Sequence, residues 1–74
     1  MTLMTDQPGL QFYSGNFLTG SVAGKGGRLY RQYDAFCLEP QIWPDAPNRP
    51  DFPSARLNPT ETYRHVSVFQ FSTV

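Results

Sequence analysis

Apolar and polar residues alternate along several short stretches of the chain, and no stretch repeats its apolar positions at the helical period of 3.6. The alternation predicts strands at residues 10–13, 35–41 and 61–71. Prolines and glycines interrupt almost every other window, which favours turns over helices. The fold class predicted from this pattern is all-β, built only from strands and turns.

Two glycine-containing segments predict turns. Residues 6–9, "DQPG", combine a proline that restricts φ with a glycine that tolerates positive φ, and little sequence precedes them. Residues 24–27, "GKGG", could be mistaken for a phosphate-binding loop. That loop needs a glycine five residues before the Gly-Lys pair and Ser or Thr after the lysine, where Thr19 and Gly26 stand here. A hairpin turn is therefore the better interpretation.

Residues 42–59 show neither a strand nor a helix pattern and contain most of the prolines. Loops of this length are uncommon in compact domains and are usually functional or disordered. With the segment "RLYRQY" that follows the turn at residues 24–27, the chain has four or five strands at most. With such long connections they do not close a β-sandwich by themselves. Residues 1–74 are therefore expected to form one end of a larger all-β domain, with a long proline-rich loop at about 42–59.

Charge and composition exclude several function classes. Six basic and six acidic residues balance, so the chain has no basic stripe for nucleic acid and no polybasic anchor for a membrane. No apolar run is long enough to span a bilayer, and we read no signal peptide. A single cysteine suits a reducing compartment, so a cytoplasmic location is expected. The aromatic content of 15% suits a β protein or a sugar-binding surface.

Glu39 is the most interesting candidate for chemistry, because it ends a short apolar run directly before the proline-rich segment. Alternation places it on one strand face with Cys37 and Gln41. Pro40 holds Glu39 in extended geometry, since the residue before a proline avoids the α region. If that face lines a cleft, Glu39 could serve as a base. The pattern alone favours a plainer interpretation, a solvated strand end.

Three other side chains have an ordinary interpretation. Gln11, on an otherwise apolar strand, either satisfies backbone groups or orients a ligand hydroxyl. Cys37 is expected to be a buried, inert thiol. His65 is the only histidine, lacks companions at metal-ligand spacing, and is expected to be hydrogen-bonded and structural. We predict no metal and no cofactor.

Four segments carry a family resemblance: "DQPGLQFYSGNFL", "GKGG", "FCLEPQIWPDAPNRPDFPS" and "YRHVSVFQF". In this order and spacing they resemble the C-terminal end of the galactose mutarotase (aldose 1-epimerase) family. The resemblance runs from about Asp6 to Phe71 and implies the C-terminal part of that family's large antiparallel β-sandwich, a supersandwich. The family usually has Thr after the glutamate, where this chain has Pro40.

The resemblance implies roles for two residues. The glutamate of the "F-C-L-E-x-Q" motif is the general base in that family and corresponds to Glu39. The glutamine of "P-G-x-Q-F-Y" contacts sugar hydroxyls and corresponds to Gln11. The family's acid is a histidine upstream of the segments matched here, and His65 does not correspond to it. The resemblance therefore implies that this chain alone is inactive.

The resemblance also implies the partners: a small hexose such as galactose or glucose, and the N-terminal part of the same domain. The loop motif "PDAPN-P-FP" favours free sugars over phosphorylated ones. Two alternatives stay open. One is a non-catalytic carbohydrate-binding or interaction module that uses exposed aromatic residues such as Trp43 and Phe52. The other is an inactive truncated product.

Overall fold

A computed structural model describes all 74 residues of the chain. It contains no α-helix, and none of its helical turns has the length and apolarity to cross a membrane. The strands are β1 (Thr2–Thr5), β2 (Gly9–Tyr13), β3 (Cys37–Gln41) and β4 (Ser67–Gln70), and single turns of 3₁₀ helix lie at Lys25–Gly27 and Ala46–Asn48. The predicted all-β class is confirmed, with two helical turns added to the strands and turns expected.

The strands form two separate antiparallel ladders. β1 pairs with β4, with Leu3 opposite Phe69, and β2 pairs with β3 over five residues each. Asp6 extends the first ladder by one step: its backbone N–H donates to the Val66 carbonyl at 3.3 Å. The Asp6 carboxylate also accepts a hydrogen bond from the Val66 N–H at 3.2 Å. The two ends of the chain are therefore held together.

The predicted strands 10–13 and 35–41 are confirmed as β2 and β3, with small shifts at their ends. β1 was not expected, because the sequence before the turn at residues 6–9 is too short to show a pattern. The strand predicted at 61–71 is mostly wrong: only Ser67–Gln70 is strand. A strand needs a neighbour to take its backbone hydrogen bonds, and β1 supplies a partner for only four residues.

The hairpin turn predicted at "GKGG" is confirmed. The backbone N–H of Gly24 donates to the Arg28 carbonyl at 2.8 Å. Ala23 and Leu29 form an antiparallel bridge on either side of the turn. Gly26 has a φ of +69°, a left-handed conformation that favours glycine.

Polar contacts shape the proline-rich loop locally. Residues 42–59 contain no strand, and their one helical turn begins after Asp45, which has a left-handed φ of 68°. The Asp45 carboxylate accepts hydrogen bonds from Asn48 Nδ2 at 2.7 Å and from Arg49 Nε at 3.2 Å. The loop is therefore held by contacts within itself, and the turn of helix is an addition to the expectation.

The chain has almost no core of its own. Only three residues are buried: Gly9, Gly15 and Ala46. The radius of gyration is 16.6 Å, whereas a compact domain of this length measures about 11 Å. Two expectations are therefore wrong for this chain. Cys37 is exposed rather than buried. The valines and phenylalanines that alternate along the last predicted strand suggest that both of its faces are covered, but Phe69 is 45% exposed. A two-stranded ladder leaves both of its faces open.

Candidate functional site

Gln11 on β2 and Glu39 on β3 lie directly opposite each other in the second ladder. Directly opposed residues of an antiparallel pair project to the same face of the sheet, with Cβ atoms about 4.5–5.5 Å apart. Both residues lie on strands, as the sequence predicts for each of them, and the register of the ladder puts them on one face. Their chemical roles are a separate matter.

Pro40 determines which pairs of this ladder exchange hydrogen bonds. It lies opposite Leu10, and because it has no N–H it cannot take part in a doubly hydrogen-bonded pair. Such pairs alternate along an antiparallel ladder. The neighbouring pair of Gln11 and Glu39 is therefore of the hydrogen-bonded kind, which fixes the backbone on both sides of the candidate carboxylate.

The Glu39 carboxylate has no partner within the chain. Glu39 is exposed, and the two ion pairs, Arg31 with Asp34 and Arg49 with Asp45, lie elsewhere. The Arg31 backbone N–H, at 2.9 Å, and the Arg31 guanidinium hold the pKa of Asp34 below its ordinary value. Both oxygens of Glu39 remain available to a ligand hydroxyl.

The Gln11 side chain makes one hydrogen bond, from its Nε2 to the backbone carbonyl of Phe12 at 3.2 Å. Gln11 is exposed, and an amide group offers two N–H donors and an oxygen acceptor. One donor and the acceptor are therefore left to meet hydroxyl groups beside Glu39.

The β2–β3 ladder is amphipathic. By strand alternation and register, its polar face carries Gln11 and Glu39 together with Gly9, Tyr13, Cys37 and Gln41. The opposite face is apolar and carries Leu10, Phe12, Leu38 and Pro40. Phe36, just before β3, adds to the apolar side, with its ring centroid 6.0 Å from that of Phe12. The apolar face is suited to packing, and the polar face to a small polar ligand.

Trp43 lies at one end of the polar face, over Gly9. A Cβ placed on Gly9 would point to the same face as the Gln11 side chain, two residues along β2. That Cβ would lie 3.0 Å from Cε3 and 3.3 Å from Cζ3 of the Trp43 indole. The ring thus takes the space that Gly9 leaves free. Trp43 lies beyond the end of β3, so no strand pattern in the sequence signals this contact.

His65 is hydrogen-bonded, as expected, and its partner belongs to the ladder that does not contain Glu39. Its Nε2 is 2.7 Å from the Ser67 Oγ. The Ser67 hydroxyl donates to Thr5 Oγ1 at 2.9 Å, so it accepts a hydrogen bond from His65 Nε2–H. This chain of contacts connects β4 to β1, the ladder that does not contain Glu39. His65 therefore supports the pairing of the two chain ends.

The largest cavity does not coincide with the polar face. It has a volume of about 560 Å³ and lies in the proline-rich loop, lined by Asn48, Arg49, Phe52, Ser54 and Arg56 among others. Neither Gln11 nor Glu39 lines it, and no carboxylate does. Acid–base chemistry is better supported on the polar face, which carries the carboxylate. No three His, Cys, Asp or Glu side chains converge anywhere in the chain.

The family model described as Aldose 1-epimerase matches residues 1–70 of the chain. The match therefore covers nearly the whole chain, including both ladders and the proline-rich loop.

Individual relatives agree with the family model. The chain is 51% identical over 72 residues to galactose mutarotase of Rattus norvegicus and to galactose mutarotase of Homo sapiens, with 97% of the chain covered in each case. It is 38% identical over 73 residues, 96% of the chain, to aldose 1-epimerase of Escherichia coli. In all three comparisons the chain spans 21% of the relative's length, about one fifth.

Proposed function

The chain belongs to the aldose 1-epimerase family, and from that membership we propose that it is the C-terminal part of an aldose 1-epimerase domain that interconverts the α and β anomers of free hexoses. In this proposal the chain supplies the general base, Glu39, and a sugar contact, Gln11. The other four-fifths of the domain supplies the acid and the rest of the sugar pocket. The observation that carries the proposal is the direct opposition of Gln11 and Glu39 on one polar face.

Glu39 takes the proton from the anomeric hydroxyl. As this O–H bond breaks, the oxygen on C1 forms a carbonyl and the bond between C1 and the ring oxygen breaks. A general acid protonates the ring oxygen, so the open-chain sugar is neutral. Rotation about C1–C2 and the reverse steps give the other anomer. The base needs to be free of competing partners, and neither ion pair of the chain involves Glu39.

Gln11 orients the sugar in this scheme. Its amide lies across the ladder from Glu39, and an amide can donate to one sugar hydroxyl while it accepts from another. Positioning of this kind matters because a base acts only when the proton it takes is within hydrogen-bonding distance. The residue is therefore assigned to substrate binding and not to proton transfer.

The acid is not assigned to this chain. His65 is the only histidine, and it is hydrogen-bonded to Ser67 in the other ladder. Proton delivery to the ring oxygen is therefore assigned to the remainder of the domain.

A hybrid protein tests the proposal. In this protein, called the rat hybrid, the present chain replaces the matching 72-residue segment of the Rattus norvegicus galactose mutarotase. Polarimetry on fresh α-galactose should show mutarotation well above the buffer rate. Glu39→Gln should lower kcat by about 10²–10⁴-fold, the usual contribution of one positioned general base.

Asp51→Asn is the matched control, because it also converts a carboxylate to an amide. Asp51 lies in the proline-rich loop, is exposed and takes part in neither ion pair. It should leave kcat nearly unchanged. Full activity in Glu39→Gln would show that the base has been misassigned. Saturable sugar binding by the isolated chain, without anomer interconversion, would favour the non-catalytic sugar-binding alternative.

A further inference from the structure

We propose that Trp43 forms an apolar wall of the sugar site, against which the C–H side of the hexose packs while its hydroxyls meet Gln11 and Glu39. This inference rests on the proposed function and adds a third residue to the site, beside Glu39 and Gln11. It is carried by the position of the indole, by its exposure and by its support from Phe52.

The position of the indole is defined by its close approach to Gly9. A Cβ on Gly9 would lie 3.0 Å from Trp43 Cε3, so the ring covers the start of β2. The same Cβ would project to the face that carries Gln11, because residues two apart on a strand share a face. Trp43 itself lies two residues beyond the end of β3, so the loop that follows the strand brings the indole back over the ladder.

The distance to the polar groups suits one sugar ring. Gly9 and Gln11 are two residues apart on an extended strand, which is about 6.6 Å at about 3.3 Å per residue. An indole over Gly9 and an amide at Gln11 are thus separated along the strand by a length comparable with one hexose. Glu39 lies across from Gln11, so the carboxylate and the amide flank one end of that space and the ring closes the other.

The indole is both supported and accessible. Its centroid is 6.4 Å from that of Phe52, with a tilt of 48° between the rings. The residue is nevertheless 42% exposed. Phe52 itself is only partly exposed and lies below the Arg49 guanidinium, whose Cζ is 5.8 Å from the ring centroid. The proline-rich loop therefore holds Trp43 in place while part of the indole stays open.

The chemistry of a hexose fits a mixed site of this kind. A pyranose carries hydroxyls around its edge and apolar C–H groups on its faces. An aromatic ring removes apolar surface from water without needing a polar partner, whereas the hydroxyls need the hydrogen-bonding groups of Gln11 and Glu39. Trp43 therefore contributes to binding and to the orientation of the sugar, and it takes no proton.

Kinetics on the rat hybrid separate this role from that of Glu39. Trp43→Ala should raise the KM for galactose by roughly tenfold, a usual scale for the loss of an aromatic contact, with kcat changed less than KM. Trp43→Phe should keep most of the affinity, because it retains a flat aromatic surface. Phe36→Ala removes an aromatic ring from the apolar side of the same ladder and should leave KM unchanged.

A fluorine NMR measurement detects galactose at Trp43 directly, so it does not depend on catalytic activity. The rat hybrid carrying Glu39→Gln is labelled with 5-fluorotryptophan, and the signal of position 43 is identified by its absence in Trp43→Phe. Galactose should shift this fluorine resonance saturably. An unchanged KM in Trp43→Ala, or a resonance that does not move at saturating galactose, would overturn the inference.

Failure of the proposed function is distinguishable from failure of the inference. An unlabelled rat hybrid without activity counts against the proposed function, whereas the fluorine signal still reports whether sugar reaches Trp43. An active hybrid that depends on Glu39 but not on Trp43 leaves the proposed function standing and removes Trp43 from the site.

Discussion

The Trp43 indole lies where a side chain on Gly9 would be. A Cβ at Gly9 would come within 3.0 Å of Trp43 Cε3 and within 3.2 Å of the Gln41 backbone carbonyl oxygen. Gly9→Ala in the rat hybrid is therefore expected to displace the indole and to destabilise the protein by about 1–3 kcal/mol, the usual cost of overpacking. Thermal or denaturant unfolding measures the loss.

A double-mutant cycle separates crowding by the indole from crowding by the backbone. If Trp43 is the main obstacle, Gly9→Ala combined with Trp43→Ala should cost less than the sum of the two single changes. Strict additivity would mean that the backbone oxygen of Gln41, and not the indole, makes alanine unfavourable at this position.

Gln11→Ala in the rat hybrid should weaken sugar binding more than it slows the chemical step. In the proposed mechanism the Gln11 amide lies opposite the base but transfers no proton, so we expect KM to rise by about tenfold or more and kcat to fall less than in Glu39→Gln. Steady-state polarimetry over a range of galactose concentrations measures both constants. Gln70→Ala, which removes an exposed amide from β4 in the other ladder, should change neither.

The isolated 74-residue chain should self-associate. It buries only three residues, its two ladders leave every strand with an unpaired edge, and large apolar side chains such as Phe71, 76% exposed, face solvent. Unpaired edges and exposed apolar surface promote association. Analytical ultracentrifugation and thermal melting test this expectation. A monomeric sample that melts in one sharp transition would contradict it.

The isolated chain should also fail to accelerate mutarotation. In the proposed mechanism Glu39 accepts the anomeric proton, but ring opening also needs an acid for the ring oxygen. His65 is hydrogen-bonded to Ser67 in the other ladder. Polarimetry with the bare chain should match the buffer rate, and His65→Gln in the rat hybrid should leave kcat nearly unchanged. Catalysis by the bare chain would show that it contains the acid as well as the base.

Acid should loosen the contact between Asp6 and Val66. The Gln7 side chain, whose Nε2 donates to Asp6 Oδ1 at 3.1 Å, and the Val66 N–H lower the pKa of Asp6 from its ordinary value of 3.8. A carboxyl whose pKa is lowered on folding stabilises the fold above its unfolded pKa, and that contribution is lost as the pH falls through the folded pKa. The pairing of β1 with β4 should therefore weaken below about pH 4.

The Val66 amide proton reports this titration directly, because it is hydrogen-bonded to the Asp6 carboxylate. In the rat hybrid its NMR chemical shift should follow protonation of Asp6, with a midpoint below 3.8. Asp6→Asn should abolish the shift, and Asp51→Asn should leave it unchanged. A midpoint above 3.8 would show that these hydrogen bonds do not favour the ionised form.

The strands around Gln11 and Glu39 could be predicted from sequence, because alternation and turn residues are local properties. The residues that share a strand face with Glu39 can also be predicted, because side chains two positions apart on a strand project to the same face. The family resemblance named the two residues for the same reason, since each is embedded in a short motif. The limits of β4 were less predictable, because a run of alternating residues becomes a strand only where a partner takes its hydrogen bonds.

The pairings between distant parts of the chain were decided only by the tertiary structure. Local alternation puts Gln11 and Glu39 each on a strand face, but a one-residue change in register would put them on opposite faces, and only the ladder shows them opposed. β1 is too short to show a pattern of its own, and it is a strand only because the distant segment Ser67–Gln70 pairs with it. The indole of Trp43 over Gly9 is likewise a contact across the ladder. These relationships depend on packing between residues far apart in sequence, which no local pattern encodes.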